Sequence, residues 1–162
     1  MLIKLDRILN KTYKIFGVAA SYFLVLIGIF IIIGILSRVL NFYIRGLSEY
    51  AGYCMASAMF FALAFTFSQG GHIRITVFIE KLSHANKYLM EIWCLISTSV
   101  FSGYMAFYLL KMTIISYKFQ ERSEGADEIL IWIPQSAVAL GSLSFFICVC
   151  HRLIKQIFLR ND

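Results

Sequence analysis

Three kinds of residue in this chain have the chemistry to hold a cofactor or move protons, and their spacing decides whether they do so. His72, His84 and His151 stand in loops or at the ends of apolar runs, with no ligand spacing between them. A membrane cytochrome holds its haem on histidines inside helices, so that class is excluded. Cys54, Cys94, Cys148 and Cys150 all fall within apolar runs and form no CxxC pair, which makes them small apolar residues rather than metal or redox ligands. An ionisable side chain deep in a membrane span is costly and is kept for use, yet the centre of each long apolar run is free of charge. This argues against a proton pump, a channel with a charged filter, or a transporter built from this chain alone. A four-helix multidrug exporter needs a carboxylate inside its first span, and Ile15 to Leu36 supplies none. With no GxSxG, Walker or zinc motif, the chain is not expected to be an enzyme or to carry a cofactor.

The elements that position these residues are membrane helices. Of 162 residues, 60% are hydrophobic and 15% charged, and the mean hydropathy is +0.77. A soluble domain of this size cannot hide so much apolar surface, so lipid is the solvent for much of it. A spanning helix needs about 20 apolar residues. Runs at 15–36, 50–67, 90–110 and 133–150 meet or approach that length, and because backbone polar groups in lipid must be bonded internally, each is a helix. The expected fold is an all-α integral membrane protein, a single membrane domain over 1–162 with four transmembrane helices. Pro134 suits the first turn of the last helix, where its missing N–H has no partner to lose.

Charge sets the orientation. Ten of the 15 Lys and Arg residues lie in the N-terminal tail, the middle loop and the C-terminal tail, which places both termini in the cytoplasm. The net charge of +6 and pI of about 9.2 therefore reflect loop retention and anionic headgroups, not nucleic acid. Lys4, Arg7, Lys11 and Lys14 oppose Leu2, Leu5, Ile8 and Leu9, as in an amphipathic helix lying on the inner surface before the first span. A second such surface helix is expected between spans two and three, with Ile75, Phe78, Ile79, Leu82, Ala85 and Leu89 as its apolar stripe. Small residues recur four apart at Gly17 and Ser21, Gly52 and Ala56, and Ala137 and Gly141, a spacing that lets membrane helices approach closely.

One stretch narrows the class. From Leu47 to Ile79 the chain reads LSEYAGYCMASAMFFALAFTFSQGGHIRITVFI, with Glu49 ahead of the second apolar run and Gly-Gly-His-Ile-Arg after it. This resembles the small Q subunit of tripartite ATP-independent periplasmic (TRAP) transporters, the DctQ-like family. Glu49, His72, Ile73 and Arg74 match the family's pattern, and Ile133-Pro134 opens the last helix as it does there. Where the family usually carries an acidic residue after the His-Ile-Arg stretch, this chain has Thr76.

The resemblance implies an accessory subunit in the bacterial inner membrane. Its partners are a large membrane (M) subunit, which performs sodium symport of an organic acid such as a C4-dicarboxylate or a sialic acid, and a periplasmic substrate-binding (P) protein, which delivers that acid. Two sites follow as expectations. His72 and Arg74 lock the end of the second span, since cations suit exposed helix carbonyls. Glu121, Glu124, Asp127 and Glu128 make the last external loop acidic, and such charge helps position an arriving binding protein. The alternative is a membrane assembly or structural factor with no part in transport.

Overall fold

The structure, a computed structural model, describes residues 2–69, 84–125 and 128–158. Its four long helices are α1 (Leu2–Val39), α2 (Leu47–Ser68), α3 (His84–Phe119) and α4 (Trp132–Phe158). All four are long and apolar enough to cross a membrane. They pack as a row rather than a closed ring: α1 lies along α2, α2 along α4 and α4 along α3, with only a slight touch between α1 and α4. The inner helices are consequently the buried ones. In the most apolar stretch of α4, 39% of residues are buried, against 6% for α1.

Three boundaries differ from those expected. Leu2–Val39 is one uninterrupted helix, so the N-terminal amphipathic segment is the opening of α1, with no break before the span. α2 begins three residues early, at Leu47, which takes Glu49 into its first turn. α3 runs past Leu110 to Phe119 and takes Lys111 and Lys118 into the helix. A basic residue was read there as the end of the run, but a helix needs only its backbone bonds to continue, and Lys has a high helix propensity. The surface helix expected between spans two and three lies largely outside the described residues; its last part, from His84, belongs to α3.

Glycine decides where the helices meet. A Cβ at Gly141 in α4 would stand 2.8 Å from the Phe60 carbonyl carbon of α2, so only a hydrogen fits. Gly17 of α1 sits under the Phe65 ring, and Gly103 of α3 under the Phe146 ring. Gly52, by contrast, faces open space. Of the small-residue pairs, those containing Gly17 and Gly141 therefore mark contacts within the chain, and the Gly52 pair does not.

Between these contacts the core is small and apolar. Tyr13, Ala64, Phe145, Cys148 and Val149 form its main cluster, joining α1, α2 and α4. Several of the buried serines fold their hydroxyls back onto their own helix: Ser57 donates to the Tyr53 carbonyl at 2.8 Å and Ser144 to the Gly141 carbonyl at 2.7 Å. In lipid, where water is absent, this local bond replaces the one a hydroxyl would make to solvent.

Candidate functional site at the two ends of the bundle

At one end, α2 and the loop before α4 are tied together. Gly46 starts α2 with φ of 71°, a left-handed conformation that glycine adopts without steric cost, and it has no side chain to cap the helix. Glu49 supplies negative charge in that first turn, where the exposed N–H groups favour it. Its carboxylate then reaches across to the loop. Ser123 donates to Glu49 Oε2 at 3.4 Å and shares a 2.9 Å hydrogen bond with Tyr53 Oη, while the Gly125 N–H donates to Ser123 Oγ at 3.2 Å. Gly125 lies so close to Glu49 that a methyl group there would overlap the carboxylate.

The loop itself is built, not loose. Ser123 N–H donates to Ile129 O at 2.7 Å and Ile131 N–H to Glu121 O at 3.1 Å, a short antiparallel pairing around Arg122 and Leu130. Gln120, with φ of 51°, ends α3, and Glu121 N–H returns to Ser116 O at 3.1 Å. The four acidic residues expected to greet a partner therefore differ in what they do. The Glu121 carboxylate accepts from buried Ser116 at 2.6 Å, and Glu128 pairs with Arg122 at 3.6 Å across exposed surface. Glu124 is exposed, and Asp127 lies outside the described residues.

The latch predicts its own disruption. Gly125→Ala should expel the Glu49 carboxylate and release the loop from α2, giving severalfold faster protease cleavage between Gln120 and Leu130, with helix content unchanged. Glu49→Gln, which keeps an acceptor for Ser123, should show a smaller increase.

At the other end the tie is made by Arg152 of α4. Its Nη1 donates to the Phe67 carbonyl, in the last turn of α2, at 3.1 Å, and its guanidinium lies 5.5 Å from the Phe67 ring centre. Phe67 meets Phe145 edge-on at 5.6 Å. Beside it, Gln156 donates to Glu91 at 2.9 Å and joins α4 to α3. Arg152 thus makes a contact of the kind expected of His72 and Arg74, which, with Ile73, lie outside the described residues. The sequence offered a signal for it: a basic residue ending the last span, at the same membrane face as the end of the second. Pro134 stands in the first turn of α4, after Trp132 has opened the helix.

Chemically, these ends hold helices and a loop in place. Among the described residues no three His, Cys, Asp or Glu side chains converge as a metal site would require. The depressions between α1 and α2 near Arg38, about 180 and 310 Å³, are open and lined largely by Gly34, Leu47, Ser48 and aliphatic or aromatic side chains.

Comparison with individual curated proteins finds no match. The sequence does match the family described as tripartite ATP-independent periplasmic transporters, DctQ component, over residues 13–159. That match spans all four helices, from Tyr13 to the end of α4, and the chain belongs to the DctQ family of TRAP transporter membrane subunits.

Proposed function

We propose that this chain is the small, non-catalytic membrane subunit of a sodium-coupled importer of an organic acid, of the C4-dicarboxylate or sialic acid class. It scaffolds the large M subunit, which carries the substrate and sodium, and works with a periplasmic substrate-binding protein that delivers the acid. It sits in the bacterial inner membrane with both termini in the cytoplasm. Family membership supports the partners, and the bias of Lys and Arg supports the orientation.

The observation that carries the scaffold role is the open row of helices. A self-sufficient transporter surrounds its substrate path with helices on several sides, whereas here α1 and α3 stand at the two edges, each with long uncovered faces. Such a shape extends a larger membrane body. The latched acidic loop, in this orientation, faces the periplasm, where Glu124 and its neighbours help orient the loaded binding protein; complementary charge acts on encounter more than on tightness.

Purification in mild detergent provides the test. The tagged chain, co-expressed with the large membrane subunit of its own transport system, should bring that subunit down in one stable complex. Recovery of the folded, helical chain alone contradicts the scaffold role.

A further inference from the structure

We propose that the outward face of α3 receives a helix of the large membrane partner, while α1 faces lipid; this rests on the scaffold reading above. The two edge helices are both largely uncovered but chemically unlike. Along α1 the exposed side chains from Leu24 to Leu36 are all aliphatic, among them Leu24, Val25, Ile31, Ile32, Ile35 and Leu36, with Tyr22 the one exposed aromatic between Ile15 and Leu36. Hydrocarbon satisfies such a surface completely. Along α3 the exposed stripe at helical spacing is Val100, Tyr104, Tyr108, Lys111 and Ile115, flanked by Phe101 and Phe107.

The packing of α3 on α4 fixes the depth of that stripe. Ser99 meets Cys150 at 3.3 Å near the Arg152 end, and Tyr117 stacks edge-on against Trp132 at 5.2 Å at the other end. Tyr108 stands midway between Ser99 and Tyr117, about 13 Å of helix from each at ~1.5 Å per residue. Tyr104 and Tyr108 have ring centres 4.4 Å apart and are 64% and 48% exposed. Even where two neighbouring phenols bond each other, only one of their two O–H groups serves as donor, so an exposed pair keeps at least one donor to offer a neighbour.

Lys111 adds charge to the same stripe. It lies about 9 Å of helix short of Tyr117, is exposed, and has no acidic or hydrogen-bonding partner among the described residues. Lipid tails offer nothing to an ammonium or a phenol. A protein helix presenting a carboxylate opposite Lys111 and an acceptor opposite the tyrosines meets both needs, and the intervening aromatic side chains supply the packing that associates helices in lipid. The occupant is therefore a membrane helix of the large subunit with an acidic side chain at the depth of Lys111.

The test is photocrosslinking in the co-expressed complex. Benzoylphenylalanine placed at Val100, Phe107 or Ile115 should crosslink to the large subunit, and at Val25 or Ile32 should not. Lys111→Glu should lower recovery of the complex severalfold, with the melting temperature of the isolated chain unchanged. Crosslinks from α1 and none from α3, in a complex that still co-purifies, overturn the assignment of the face and leave the scaffold role standing. Failure of the wild-type chain to co-purify at all overturns the scaffold role and this assignment with it.

Discussion

Gly141→Leu should abolish the native packing of α2 on α4, and even Gly141→Ala should be costly. The neighbour that an added methyl meets is the backbone of Phe60 at 2.8 Å, which cannot swing aside as the tip of a side chain can. Overpacking of this kind typically costs about 1–3 kcal/mol for a single methyl group. A leucine must push the two helices apart along their length, and α4 is the element that joins both halves of the row. The expected result is loss of the monodisperse, detergent-solubilised chain for Leu and a clear fall in melting temperature for Ala. Gly52→Ala supplies the contrast. Nothing lies within 4 Å of that position, so the substitution should leave stability unchanged or raise it by roughly 0.5–1 kcal/mol through helix propensity. A Gly141→Ala variant as stable as Gly52→Ala would show that the α2–α4 contact is not as close as described.

Arg152→Ala should produce the second large effect. The substitution removes a hydrogen bond from a charged donor, worth roughly 1.5–3 kcal/mol, and the contact of the guanidinium with the Phe67 ring. It also removes the tie between α4 and the last turn of α2. Arg152→Lys keeps the charge and the reach but not the planar fork that serves carbonyl and ring together, so about half the loss should remain. Thermal unfolding in detergent, followed by circular dichroism, separates the three forms. An unchanged midpoint for Arg152→Ala would mean that α2 is held at that end by other contacts.

What could be read from the sequence was the part written as runs of one character. Four apolar stretches of spanning length gave four helices, because lipid leaves the backbone no other economy of hydrogen bonds. The Gly-x-His-Ile-Arg stretch and Glu49 pointed to the family that the match over residues 13–159 shows. The ends of helices were less legible. Lys111 looked like a terminus, since charge usually stops a membrane run, whereas the helix carries it eight residues further. Pairwise contacts between distant segments were barely legible. Glu49 and Ser123 are brought together only by the row order of the helices, and for Arg152 the sequence marked a basic residue at the end of the last span but not its partner Phe67. The same holds for glycine: Gly52 and Gly141 each have an alanine four residues away, and only packing makes one replaceable and the other not.

The claim at the centre of this account is that the chain serves transport without performing it. Uptake into proteoliposomes measures this directly, with a sodium gradient imposed and the binding protein, loaded with its organic acid, supplied outside. The large subunit with this chain should accumulate the acid, the large subunit alone should do so at least tenfold more slowly, and this chain alone should not transport at all. Accumulation by this chain without the large subunit, or full-rate uptake by the large subunit without this chain, would contradict it.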